Sequence, residues 1–209
     1  MRYGYFDDEK REYVVERVDA PFSMTNYLGT QRMGAVLSHN AGGYCWLDSP
    51  QYHRITRFRP NGVPMDRPGH YVYLRDDENG DFWSISWQPT GKSLAQAKYA
   101  CLHGLSYSTY TCDYDGIQAS QTLFIPREHG SDDPVEIFDV RLCNHSDAPR
   151  TLSVFGYVEF SFHHIEMDQQ NFQMSLYATG SQYRDGAALC EYHYEENSWQ
   201  FFTASFDPD

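Results

Sequence analysis

Positive charge and long apolar runs are scarce in this chain, paired cysteine motifs are missing, and each shortage removes a class of function. Sixteen Lys and Arg stand against 29 Asp and Glu, for a formal net charge of −13. A phosphate backbone is held through basic patches, so nucleic acid is not an expected partner. An anionic membrane surface is disfavoured for the same reason. No apolar stretch approaches the roughly 20 residues that a spanning helix requires. The opening MRYGYFDDEKREY has neither an apolar h-region nor a small-residue cleavage site, so no secretory signal is visible. The five cysteines (Cys45, Cys101, Cys112, Cys143 and Cys190) are odd in number, widely spaced and without a CxxC pair. Free thiols in a reducing cytosol are the expectation, and the location expected is cytoplasmic. Asn144-His145-Ser146 matches a glycosylation sequon by chance on that reading.

What the chain has in quantity is aromatic residues: 17 Tyr, 13 Phe and 4 Trp, or 16% of 209 residues. These favour pleated, half-buried surfaces, and the length suffices for a sizeable core in one all-β domain. Apolar and polar residues alternate over Glu12–Val18, Gly34–Leu47, His53–Phe58, Tyr71–Arg75 and Phe82–Trp87, each bounded by Gly, Pro, Asn or Asp. Residues 105–114 alternate over a long run, and Asp115-Gly116 supplies a two-residue turn requiring positive φ before Ile117–Ile125 returns. Pro134–Cys143 and Arg150–Phe162 read as a second strand pair, and Asn79-Gly80 marks a further turn. Only Ser93–Ala100 (SLAQAKYA) has a helical look. The pattern predicts an antiparallel β-sandwich forming one domain over residues 1–209. The final run Trp199–Phe206 reads as a strand with only Asp207-Pro208-Asp209 after it. Open edges invite pairing, so the expectation is a piece of a longer protein.

Candidate chemistry is thin. The acids cluster in turns such as Asp76-Asp77-Glu78 and Asp132-Asp133, where a solvated carboxylate is the default. Glu159, inside the apolar run 154–162, is the exception, and a structural hydrogen-bonding role is expected of it because a buried acid must find partners. His163-His164 with Glu166 and Asp168 invites a metal, but neighbouring side chains on a strand point to opposite faces. No metal site is expected. Neither a phosphate-binding glycine loop at a helix start nor a G-x-S-x-G elbow is present. The segment Phe162–Gln173 (FHHIEMDQQNFQ) differs in kind: the apolar pattern breaks into His, Gln and Asn. Hydroxyls of a sugar want both donors and acceptors, which amides and imidazoles provide. It reads as a loop.

Several motifs occur in order: Met1–Asp8 and Arg11–Val14, Asn26-Tyr-Leu-Gly29, SHNAGGYCW at 38–46, PGHYVYLRDDENGDFWSISWQP at 68–89, His103–Tyr107, Tyr157–Phe160 and Asn171–Tyr177. On these the chain resembles the amino-terminal domain of the cellobiose and chitobiose phosphorylases, glycoside hydrolase family 94. The forms QNFQMSLY, SHNAGGY, RFRPN and DRPGHYVYLRDD resemble the N,N′-diacetylchitobiose branch. Met24 and Cys45-Trp46 depart from the usual Trp and Ser-Phe of the family.

The resemblance implies a β-supersandwich of galactose-mutarotase-like type, followed in the whole enzyme by a helical linker, an (α/α)₆ barrel and a small carboxy-terminal domain. Such enzymes cleave a β-linked disaccharide with inorganic phosphate and inversion, giving an α-sugar-1-phosphate and a monosaccharide. The general acid lies in the barrel, so this chain carries no catalytic residue and is inactive alone. Phosphate attacks directly, so no second carboxylate is needed. Phosphate is a co-substrate, and no cofactor is implied. The resemblance also implies a homodimer and a contribution to the acceptor end of the site. Its substrate-binding positions fall here on His164, Asn171 and Met174. Methionine at 174 stands where the cellobiose enzymes have Arg, a loss of a charged multi-donor fork. Two other readings stand beside this one. A freestanding carbohydrate-binding sandwich would bind sugar as isolated, and a dimerisation module would self-associate without ligand.

Overall fold

The computed structural model describes residues 2–58, 68–127, 134–162, 164–171, 177–193 and 199–205. Fifteen strands dominate them: β1 Gly4–Asp7, β2 Glu12–Val15, β3 Thr25–Gly29, β4 Met33–Ser38, β5 Gly43–Leu47, β6 Tyr71–Asp76, β7 Phe82–Ser84, β8 Lys98–His103, β9 Tyr107–Tyr114, β10 Ile117–Phe124, β11 Ile137–Asn144, β12 Leu152–Tyr157, β13 Thr179–Arg184, β14 Ala187–Tyr192 and β15 Trp199–Thr203. Helix α1 spans Ile165–Gln170. The strands build a six-stranded sheet ordered β1-β2-β8-β9-β10-β11 and three smaller ones, β12-β6-β7, β13-β14-β15 and β3-β4-β5. Every pairing is antiparallel. The antiparallel all-β architecture expected from period-two patterning is therefore present, as the supersandwich implied by the family resemblance requires.

The β9–β10 hairpin forms in the expected register, with Tyr114 opposite Ile117. Asp115 at φ 49° and Gly116 at φ 76° give the left-handed pair that matches the twist of the strands. Alternation then sorts the side chains: Ser108, Tyr110 and Cys112 on β9, and Ile117, Ala119, Gln121 and Leu123 on β10, face inward. They join Leu37, Tyr71, Leu74, Trp83 and Ile85 in one core that draws on three sheets. Trp83 is fully buried and meets Tyr114 edge-on at 5.2 Å. Tyr73 and Trp87 pack against that core from its margin, as their positions in the pattern require.

Several expectations are corrected. Residues 34–47 are two strands, because Ser38 Oγ accepts from the Asn40 and Gly42 amides and turns the chain. Ala41 at φ 61° and Gly43 at φ 128° complete the reversal. A Cβ at Gly43 would lie 1.8 Å from the Val36 carbonyl, so only glycine fits. Residues 53–58 make isolated bridges at Arg54 and Thr56 and no strand. The run from Phe82 stops as a strand at Ser84, whose hydroxyl turns to the Ser86 carbonyl at 2.7 Å. Ser93–Ala100 is a single turn leading into β8, where pairing with β2 and β9 overrides helix propensity. Strands β11 and β12 pair with β10 and β6, not with each other. Asp76, expected in solvent, is buried at the end of β6 and paired with Arg150.

Candidate functional site

The segment expected as a loop, Phe162–Gln173, holds helix α1 among its described residues. Six residues cannot hold a helix by themselves, since short helices are marginal in water. Three contacts from residues 49–58 hold it instead. The Ile165 amide donates to the Gln51 carbonyl at 2.9 Å. The Tyr52 ring meets His164 edge-on at 5.0 Å. Buried Arg57 grips buried Asp168 through two parallel bonds, Nε to Oδ2 at 3.0 Å and Nη2 to Oδ1 at 2.9 Å.

Arg57 also donates from Nη1 to Glu159 Oε1 at 2.5 Å, and Tyr157 supplies a hydroxyl to Glu159 Oε2 at 3.1 Å. Burial works against the guanidinium charge, but the Asp168 and Glu159 carboxylates outweigh it and hold the Arg57 pKa above its ordinary value. Glu159 thus has the structural role expected of it. The Thr56–Phe160 bridge and the bond from the Ser161 amide to the Ile55 carbonyl lay the two segments side by side. Behind them Gln200 donates to the Ser161 carbonyl at 2.9 Å, and Phe162 stacks on Tyr192 at 5.4 Å. The base of the helix is rigid polar scaffolding.

The sequence-predicted residues lie at its ends. His164 is the N-cap, and its Nδ1 accepts from the Glu166 amide at 3.1 Å, standing in for the usual Ser or Asp oxygen. With Nδ1 an acceptor, the hydrogen-bond network assigns the proton to Nε2, which becomes a donor. Asn171 is the C-cap: its backbone amide bonds to the Met167 carbonyl at 3.0 Å, and the residue is exposed. Met174, like His163, lies outside the described residues. The acids Glu166 and Asp168 sit in the first turn, where the helix dipole favours them. Among the described residues, His164, Glu166 and Asp168 form no metal-ligating group, because Asp168 is committed to Arg57.

Sequence reasoning missed Arg57. Its partner lies more than a hundred residues away, and the only signal was a basic residue inside the apolar alternation of 53–58. Nearby Arg54 has its guanidinium 3.6 Å from the Tyr44 ring centre and donates to the Pro50 carbonyl. Burial lowers its pKa, with the Tyr44 group opposing. Together these side chains stiffen residues 49–58, the platform under α1. Chemically, the helix ends offer an imidazole and an exposed amide, groups suited to recognising hydroxyls.

The profile of the family described as "Glycosyl hydrolase 94, supersandwich domain" matches residues 11–209. An N,N′-diacetylchitobiose phosphorylase of Vibrio furnissii is 54% identical over the whole of this chain and 26% of its own length. A protein of the same name from Vibrio proteolyticus is 55% identical over the same shares. A solabiose phosphorylase of Paenibacillus borealis is 32% identical over 76% of this chain and 20% of its own length. The chain thus spans about a quarter of the curated relatives that it matches along its whole length.

Proposed function

This chain belongs to the glycosyl hydrolase 94 supersandwich-domain family, and from that premise we propose that it is the amino-terminal, non-catalytic domain of an inverting glycoside phosphorylase. The whole enzyme cleaves a β-linked disaccharide with inorganic phosphate, releasing an α-sugar-1-phosphate and a monosaccharide. Acid catalysis belongs to a barrel beyond this single 1–209 domain, and no cofactor takes part. The disaccharide is of the diacetylchitobiose type, a reading supported by the names of the two relatives above 50% identity. Five free cysteines suit work in a reducing cytoplasm.

The observation that carries this reading is α1. A short helix held from behind by Arg57–Asp168 presents the exposed Asn171 at one end and the His164 donor at the other. Its task is to receive the hydroxyls of the acceptor sugar. Met174 supplies the apolar side that an N-acetyl group requires. The chain pairs with a second copy, a reading supported by exposed Phe6, Tyr27 and Leu105. Phe6 packs on Tyr13, which pairs with His103, and Asn26 beside Tyr27 bonds to the Gly104 carbonyl, so the three crowd one end of the large sheet.

The experiment compares the 209-residue chain with the complete reading frame, each given diacetylchitobiose and phosphate. Sugar-1-phosphate should form only with the complete protein. Turnover by the short chain overturns the proposal. The competing reading, a freestanding sugar-binding sandwich, predicts calorimetric binding of disaccharide to the short chain alone; the domain reading predicts little.

A further inference from the structure

Where three sheets meet, Cys45 of β5, His70 just ahead of β6 and Glu136 just ahead of β11 bring their donor atoms within 4.8 Å of one another. Cys45 is 2% exposed and His70 1%, and the Glu136 side chain is 7% exposed. His70 Nε2 lies 3.1 Å from Glu136 Oε2. Polar groups this deep in a protein are ordinarily hydrogen-bonded. Here neither ring nitrogen of His70 makes a hydrogen bond, nor does Glu136 Oε1. Gln121 donates to the His70 carbonyl at 2.9 Å, and its own Oε1 is buried without a partner. His70 Nδ1, Glu136 Oε1 and Gln121 Oε1 are thus buried with no hydrogen bond, and His70 Nε2 meets only the Glu136 carboxylate.

The donor set suits a metal ion. A thiolate, an imidazole and a carboxylate are the ligands of a tetrahedral zinc ion, at about 2.3, 2.0 and 2.0 Å. Tetrahedral angles at those bond lengths place the donors roughly 3.3–3.5 Å apart; His70 Nε2 and Glu136 Oε2 stand at 3.1 Å, and all the donor atoms lie within 4.8 Å of one another. The set is soft for calcium or magnesium, which take oxygen ligands. We propose that Cys45, His70 and Glu136 bind one zinc ion, which joins the β3-β4-β5, β12-β6-β7 and six-stranded sheets at their common junction. Water completes the coordination, in a region where the spare oxygen of Gln121 has no other partner. The thiol proton passes to solvent as the sulfur–metal bond forms, and no redox change is involved. The backbone supports the arrangement: the His70 amide is fixed to the Ala41 carbonyl at 2.8 Å, the Cys45 amide to Thr56 Oγ1 at 2.8 Å, and Gly42 bridges to Gly69. Spacing along the chain hid the site, because its ligands come from three distant segments, and sequence reading expects no metal here.

The complete protein, purified from zinc-supplemented medium without an affinity tag and desalted, should carry about one zinc per chain by elemental analysis, the stoichiometry of a single four-coordinate site. Cobalt(II) added after chelation should develop a thiolate-to-metal charge-transfer absorption. Cys45→Ser should abolish that band, and Glu136→Gln should weaken cobalt binding at least about tenfold, since even outer-shell losses do so. Zinc should raise the melting temperature of the wild type and leave that of Cys45→Ser unchanged. Wild-type protein without zinc and without the cobalt band overturns the proposal by itself, so it does not depend on the variants folding. A charge-transfer band that survives Cys45→Ser overturns it as well.

Discussion

At position 103 an imidazole sits between strands with both nitrogens engaged: Nδ1 faces Ser108 Oγ at 2.9 Å, and Nε2 faces the Met24 carbonyl at 3.2 Å. Neutral histidine satisfies both, accepting at one nitrogen and donating at the other. Burial lowers its pKa from 6.5 to about 4, opposed by the bond to Met24. The folded state therefore binds fewer protons than the unfolded state over that interval. Its contribution to stability is complete above 6.5, falls as the pH drops towards about 4, and is gone below. The shift corresponds to about 3 kcal/mol. Denaturant midpoints measured from pH 7 to pH 4 should fall more steeply for the wild type than for His103→Gln, and equal slopes would refute the assignment. Asn171 belongs to the same scale. In the complete enzyme Asn171→Ala should raise the acceptor KM in the synthetic direction by roughly 1–3 kcal/mol of lost hydrogen bonding. The melting temperature should hardly move, because the residue is exposed and only its backbone caps the helix. An unchanged KM would leave the segment a mere connection.

Among elements, the β9–β10 hairpin is the most exposed to a single change. A Cβ at Gly116 would meet Ser146 Cβ at 3.1 Å, on a backbone already at positive φ. Gly116→Ala should cost about 1–2 kcal/mol. The urea midpoint should drop at an unchanged m-value, as for a loss of stability without a change in compactness. This hairpin was legible in the sequence because its information is local: two alternating runs and a turn whose chemistry admits few residues. Strand β11 beside it was read from its own alternation in the same way. Partners were not legible. Nothing near residue 152 says that β12 pairs with β6, and nothing near residue 57 says that Arg57 waits for Asp168. Local pattern also misled at Ser93–Ala100, where good helix formers are drawn into β8 by its neighbours. The motifs that named the family proved to be mainly structural. Asn26 donates to the Gly104 and Tyr107 carbonyls, Asn40 donates to the Val18 carbonyl, and Tyr110 donates to the Ser38 carbonyl of the SHNAGGY turn. Of the candidate site, residue types suited to sugar hydroxyls were visible, but the helix that presents them was not, since its stability comes from outside it.

At the scale of the whole molecule, the exposed cluster of Phe6, Tyr27 and Leu105 makes self-association testable. Leu105→Glu puts a charge on this exposed side chain without touching the core. The proposed pairing predicts a dimeric wild type and a monomeric variant in analytical ultracentrifugation at one concentration, with unchanged circular dichroism. A variant that remains fully dimeric moves the interface elsewhere.

The pairing of β12 with β6 has a consequence for how the protein is made. Strand β6 ends at Asp76 and its partner begins at Leu152, so 152 − 76 = 76 residues separate them in order of synthesis. At about 5–20 residues per second, the ribosome takes roughly 4–15 s to deliver the second strand after the first. During that interval β6 can hold β7 on one side, but its other edge, with Tyr71, Val72, Tyr73 and Leu74 in sequence, has no strand to meet. An apolar edge left open for seconds is a template for pairing with a neighbouring nascent chain. Crowded polysomes therefore set the period of greatest risk for this protein, and holdase chaperones that bind extended apolar segments are the natural guardians of its middle third.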